Sequence, residues 1–326
     1  MAVEFMDGWE GGGLELWSTT SGATVITARA SMSGNYCLNL STSTWYVQRS
    51  ITADDEYYWS MRCEFTQSAY NITVITFYFG STIICQLRKV ITTSYLAAYV
   101  GTSVVETATT IPLSVGQVYL IEGYIKIADV SGRFVVKVDG TTVIDFTGDT
   151  KPGADTQVNT VRIGCETTRY SYMYVDDFIL DHDGYLGSLR IAGIVPSAAG
   201  TTTGWTPSAG SNWDCVDERP ANDTDYVSVN TVDAIDLYTA SNLGFTPSSI
   251  KAVQLHARGA YEGAPSVAHV QLALRTYATN YFSADKSPPS SFGLIGYHVW
   301  DTNPNTLAAW SGTEVDALEI GVKATT

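Results

Sequence analysis

Apolar and polar positions alternate with a period of two along most of this chain, and almost nowhere with the period of a helix. The clearest run is 56–65, where Tyr57, Trp59, Met61, Cys63 and Phe65 fall on one side and Tyr58, Ser60, Arg62 and Glu64 on the other. Such alternation marks a strand with one buried face. The same reading predicts strands at 23–28, 36–40, 45–51, 71–79, 82–90, 118–127, 133–139, 158–165 and 172–180. Asp139-Gly140, set between FVVKV and TTVIDF, predicts a tight hairpin, because both turn positions tolerate positive φ. Many short strands with little helix imply a β-sandwich or barrel.

The strand ending at Leu180 runs into Asp181-His182-Asp183-Gly184, a turn that interrupts pairing, and the pattern restarts at Tyr185. At 326 residues the chain exceeds the usual size of a single core. Two domains are therefore expected, 1–184 and 185–326. In the second, Val253, Leu255 and Ala257 alternate with Gln254, His256 and Arg258. Val270, Leu272 and Leu274 likewise alternate with polar neighbours, while 197–211 and Pro288-Pro289 read as loops.

Composition narrows the function. The formal net charge of -15 disfavours nucleic acid and anionic lipid as partners. No apolar run is long enough for membrane insertion. Five cysteines, odd in number and without a CxxC pair, read as small buried hydrophobes in a reducing cytosol. The acidic N-terminal stretch does not read as a secretory signal. Twenty tyrosines are the unusual feature. Tyr57, Tyr58, Tyr70, Tyr170, Tyr172, Tyr174 and Tyr185 exceed what one core face holds, and some are expected at surfaces that touch a sugar or a protein.

The order of segments carries a resemblance. A W-x-M-x-C-x-F strand is followed by a hairpin over 82–100, a long strand at 118–127, the V-x-V-D-G-x-x-V hairpin, and a close at 161–164 and Tyr174-Val175-Asp176-Asp177. This resembles the concanavalin A/laminin-G jelly roll. Residues 186–190 (LGSLR), 203–207 (TGWTP), 211–218 (SNWDCVDE), 250–258 (IKAVQLHAR) and 310–322 (WSGTEVDALEIGV), with the opening FMDGWE at 5–10, resemble bacteriophage virion proteins that carry such a jelly roll. The resemblance implies an all-β protein, with a jelly roll followed by a second, smaller β-sandwich. It also implies a noncatalytic tail, tail-fibre or head-surface component rather than an enzyme. Its partners would be other virion proteins, further copies of itself and a host-surface glycan, in a virion assembled in the bacterial cytoplasm.

Two acidic motifs are the candidates for chemistry. Glu314, Asp316 and Glu319 fit E-x-D-x-x-E, a spacing that resembles the catalytic strand of certain jelly-roll glycoside hydrolases. On a strand Glu314 and Asp316 would share a face, and a bulge could add Glu319, suiting a carboxylate pair to a retaining mechanism. This is the route to the alternative function, a depolymerase acting on bacterial polysaccharide; a free carbohydrate-binding module is the other. The competing reading places the three on the wet face of a strand. Asp181 and Asp183 could offer oxygens to Ca²⁺, but the full loop pattern is missing and an acidic turn is the simpler expectation. No other cofactor is expected. Asp176 and Asp177 should point in opposite directions on their strand, and His182, His256, His269 and His298 match no metal spacing.

Overall fold

The computed structural model of the chain describes residues 3–29, 32–165, 169–263 and 267–326. Its regular structure is almost entirely antiparallel strand. The chain divides into two compact units, Met1–Glu10 with Trp17–Ile191, and Gly11–Leu16 with Ala192–Thr326.

The first unit is a jelly-roll sandwich. Its larger, eight-stranded sheet runs β13 (Thr141–Gly148), β12 (Gly132–Val138), β11 (Val118–Lys126), β6 (Glu56–Phe65), β15 (Met173–Asp181), β4 (Tyr36–Leu40) and β3 (Thr24–Thr27), with β1 (Val3–Asp7) also paired to β15. The second sheet has seven strands: β10 (Ser103–Thr107), β9 (Leu96–Val100), β8 (Thr82–Lys89), β7 (Ile72–Phe79), β14 (Val158–Gly164), β5 (Tyr46–Asp54) and β2 (Thr19–Ser21). From β4 to β7 the chain alternates between sheets, so the core lies between them. The predicted apolar face of β6 is buried throughout, from Tyr57 to Phe65, opposite Ile75, Phe77, Cys85, Leu87, Val161 and Ile163. Each such side chain contributes roughly 1.5–3 kcal/mol on leaving water. All five cysteines are buried and outside any disulfide; burial pushes the Cys37 thiol up to about 11 and those of Cys63 and Cys85 higher still. Asp139 and Gly140 both take positive φ, 48° and 80°, and close the β12–β13 hairpin.

The first unit runs on to Ile191, past the expected end at 184. Residues 185–191 are tied to its larger sheet: Gly187 N donates to Glu122, Ile191 N to Asp177, and Arg62 to the Ser188 hydroxyl.

The second unit builds a five-stranded sheet, β16 (Pro196–Thr203), β19 (Ile235–Ala240), β24 (Glu319–Thr325), β21 (His269–Thr276) and β22 (Thr279–Phe282). Two two-stranded ladders accompany it, β20 (Val253–Gly259) with β23 (Gly293–Trp300) and β17 (Thr206–Pro207) with β18 (Val227–Ser228). Its core joins Ala240, Leu274 and Ile320 of the large sheet to Trp300 of β23, with Trp310, Val315 and Leu318. Two expectations change here. Much of the loop expected over 197–211 is the edge strand β16, whose small residues pair with β19 through register shifts. Pairing to an existing strand overrides weak local propensity. And 312–316 is not strand but a helical turn, α1 (Gly312–Asp316), closed by a capping box in which Ser311 and Glu314 bond each other's backbone N–H. Among the described residues no helix is long and apolar enough to cross a membrane.

Candidate functional site

The seven-stranded sheet of the first unit buries Ile75 and Phe77 of β7, Cys85 and Leu87 of β8, and Val161 and Ile163 of β14 on its core side. The alternate positions lie on the other side of the sheet, where cross-strand register gathers them into rows; Gln48, Tyr78, Tyr99 and Arg162 are half-buried there, whereas Tyr46, Thr73, Thr76, Gln86 and Arg88 are buried. The central row is Gln48, Arg162, Thr76, Gln86 and Tyr99, each directly opposite the next. On one side lie Ser50, Thr160 and Tyr78; on the other lie Tyr46 and the opposed pair Thr73 and Arg88. Five strands thus present arginines, amides, phenols and hydroxyls to one surface, with no carboxylate in these rows.

These side chains hold one another in place. Arg162 donates from Nε (2.9 Å) and Nη2 (2.6 Å) to the Gln48 Oε1, and its guanidinium lies 4.3 Å from the Tyr46 ring and 4.8 Å from the Tyr78 ring. Arg88 donates to the Gln86 side-chain oxygen and sits 3.7 Å from the Tyr99 ring centroid. Arginine on an aromatic face gains cation–π attraction, and its planar fork is fixed for bidentate bonding. Burial raises the Tyr99 phenol, which therefore stays a proton donor at neutral pH. Thr73 and Arg88 are only 2% and 6% exposed, and Thr73 Oγ1 and Arg88 Nε have no hydrogen-bond partner.

None of this face was singled out in the sequence. Tyr46, Tyr78 and Tyr99 are absent from the tyrosines expected at surfaces. The available signal was Gln86 and Arg88 flanking Leu87 in the strand-like run TIICQLRKV, at the spacing of one strand face.

The tyrosines that were expected at surfaces disperse. Tyr57 is core. Tyr58 stacks on Tyr124 at 4.5 Å and meets Tyr185 edge-on, on the outer face of the larger sheet. Tyr174 lies beneath Arg29. Tyr70, Tyr170 and Tyr172 form a half-buried stack with centroids 4.1–5.4 Å apart.

The acidic candidates do not assemble into one site. Glu314 accepts from Ser311, from Asn303 Nδ2 at 2.9 Å and from the Tyr277 hydroxyl at 3.1 Å, in a depression of about 240 Å³ lined by Thr276, Tyr277, Thr313, Glu314 and Ala317. Burial alone would raise this carboxyl, but those donors hold it below the usual glutamate range, the wrong direction for a general acid. Asp316 caps the Leu243 N–H at 2.7 Å, and Glu319 accepts from Thr201 on β16. The helical turn is what separates them, so the shared strand face expected for Glu314 and Asp316 is not formed.

Asp181 Oδ1 accepts from the Asp183 and Gly184 backbone, which makes it an acidic turn. Among the described residues no group of three or more His, Cys, Asp or Glu is placed to hold a metal ion. Asp176 and Asp177, expected to point apart, converge. A bulge follows Asp176, Asp177 takes φ 52°, and both carboxylates reach Ser33, the first through its N–H and the second through its hydroxyl. Burial, reinforced by the neighbouring Asp177 charge, pushes the Asp176 carboxyl up to about 9, and burial also raises Asp177.

No family model matches this sequence. No curated protein matches it either. Solved structures share the jelly roll. The endo-β-1,4-glucuronan lyase of the fungus Trichoderma reesei is 14% identical, with a TM-score of 0.43, over 55% of this chain and 95% of that one. The alginate lyase Aly36B is 15% identical, with a TM-score of 0.34, over 52% and 82%. A Trypanosoma rangeli sialidase is 12% identical, with a TM-score of 0.37, over 49% and 27%. Likeness at this level speaks to the fold alone. It does correct one expectation, that the chain is no enzyme: the fold is shared with lyases and a sialidase, so nothing in a jelly roll argues against catalysis.

Proposed function

We propose that this protein acts on glycans, and that the first unit takes a polysaccharide across the outer face of its seven-stranded sheet. The observation that carries this reading is the register-aligned row Gln48–Arg162–Thr76–Gln86–Tyr99. Sugars are gripped by planar donors and acceptors beside aromatic rings, and the row and its flanks supply both. With no pair of carboxylates there, the face lacks the equipment of a retaining or inverting hydrolase. The groups able to move a proton on it are the phenols of Tyr78 and Tyr99, with arginine and glutamine fixing the sugar. A phage particle as the setting, as the resemblance of 185–326 implies, is proposed with it. Many copies would turn weak sugar contacts into avidity, and mass spectrometry of purified particles tests that setting.

The test is affinity electrophoresis in soluble acidic and neutral polysaccharides, with product analysis for new reducing ends and for unsaturated sugars. At least one polysaccharide should retard the protein. Arg162→Met should weaken that retardation roughly tenfold, the worth of a charge-assisted bidentate contact. Retardation by none, or retardation that Arg162→Met leaves intact, overturns the reading.

A further inference from the structure

One end of the second unit displays apolar side chains that its own core does not use. Leu307, Ala308 and Ala309 follow one another at the surface, and Leu307 is 79% exposed. A run of exposed apolar residues is out of place on a folded surface unless it has a function. Tyr277, in the turn between β21 and β22, is 61% exposed. The loop bearing Leu307 is tied to that hairpin. Asn303 Nδ2 and the Tyr277 hydroxyl donate to the same Glu314 oxygen, and the Tyr281 hydroxyl donates to Asn305 at 3.0 Å. The Leu307 N–H donates to the Asn303 carbonyl. Leu307 and Tyr277 therefore belong to one surface, and the depression of about 240 Å³ walled by Tyr277, Thr313 and Ala317 opens on it.

The backbone is strained where these side chains are displayed. Tyr277 (φ 48°) and Ala278 (φ 61°) fill a two-residue turn between the paired Thr276 and Thr279, where both positions favour Asn or Gly. Leu307 also takes the left-handed conformation, at φ 57°. Bulky residues rarely adopt it, and such outliers cluster at functional surfaces. Asn or Gly would form the same turns with less strain, so local folding does not account for Tyr277 or Leu307.

Charge and shape say what covers the surface. Copies of a chain with net charge -15 repel one another, and their approach is least opposed where acids are absent or matched. Residues 276–280 and 303–313 contain no charged side chain, and both oxygens of Glu314 are taken by Ser311, Asn303 and Tyr277. A projecting leucine and a depression with room for one share this surface. That is the self-complementarity a two-fold interface requires, whereas an unrelated partner needs only one of the two.

We propose that this surface pairs with its counterpart on a second copy of the chain, the Leu307 of each copy entering the depression beside Tyr277 of the other. The Tyr277 ring, pinned through its hydroxyl to Glu314, is the fixed wall against which the leucine packs. The interface lies wholly in the second unit and does not depend on the glycan role proposed for the first.

Sedimentation velocity of the full chain, from micromolar to hundreds of micromolar, tests the proposal. The protein should pass reversibly from monomer to dimer, and added salt should strengthen the dimer by screening the repulsion. Leu307→Asp should weaken dimerisation at least tenfold, as removal of a central apolar anchor does. Leu307→Asn should weaken it too, yet melt no lower than the unaltered protein when both are dilute and monomeric, because asparagine tolerates the left-handed backbone. Ala317→Trp, which fills the depression, should also weaken dimerisation and carries the test if a Leu307 variant is unfolded. Leu307→Cys and Ala317→Cys proteins, mixed under mild oxidation, should cross-link to each other faster than either does to itself, the native cysteines all being buried. A monomer at every concentration overturns the proposal, even one that captures a different protein through this surface. A dimer that none of these substitutions weakens overturns it as well.

Discussion

The two outer faces of the jelly roll are both polar, and they are finished differently. On the larger sheet Glu64, Glu122, Asp176 and Asp177 are buried acids, and the chain itself supplies their donors. Arg29 reaches Glu64 at 2.7 Å, Gly187 N reaches Glu122, and Arg62, Ser33 and Ile191 converge on Asp177. On the seven-stranded sheet Arg88 and Gln86 bond each other, and Arg88 Nε and Thr73 Oγ1 are buried without a hydrogen-bond partner. Polarity and burial alone do not distinguish the two faces. Nor does full matching, since Arg133 Nε and the Tyr185 hydroxyl on the larger sheet also lack partners; the distinction lies in charge, with buried acids met by the chain's own donors on one face and arginines beside amides and phenols on the other.

Three substitutions bear on that contrast. The largest effect is expected at Asp177, whose carboxylate holds Arg62, Ser33 and the backbone of Ile191. Asp177→Ala should cost about 3 kcal/mol in urea unfolding, and amide exchange over 185–191 should accelerate. A stable variant with that segment still protected would remove the structural role given to the acidic face.

Lys89 asks whether an orphaned donor is by itself a sign of function. It follows Arg88 in sequence but lies on the core side, fully buried, with Nζ unpartnered 5.9 Å from the Phe65 ring. Burial lowers its pKa, so below the ordinary lysine range the unfolded chain binds more protons than the folded one, and stability should climb with pH. Lys89→Met should add about 1–3 kcal/mol, flatten that slope and leave glycan binding as it was. If it weakens binding instead, the boundary drawn around the site is wrong.

The smallest change is expected from Asp176→Asn. Its raised carboxyl means that from about pH 4 up to about 9 the folded protein holds a proton the unfolded chain has lost. Stability should therefore fall as pH rises through that window. The asparagine, which does not ionise, should remove the decline. A pH profile that is the same in both proteins would show that the proton sits elsewhere.

Strands with one apolar face were legible from the outset, because a period of two needs no partner to be seen. Tyr57, Trp59, Met61, Cys63 and Phe65 read as one buried face and are one. The Asp139-Gly140 turn was likewise local. The acidic motif at 314–319 misled for the same reason. Its spacing suited a strand, but Ser311 three residues before Glu314 makes a capping box, and a helical turn sent the carboxylates to three separate partners.

Alternation along single strands is thus what the sequence determined alone: the strands, their core faces and their turns. Register between strands was decided only by tertiary structure. Gln48, Arg162, Thr76, Gln86 and Tyr99 come from five strands, and no spacing within one segment encodes their alignment. The same holds for Asp176 and Asp177, which a bulge turns together against the alternation. Local pattern fixes which way a side chain faces, whereas its neighbours across a sheet depend on how every strand between them slides into place.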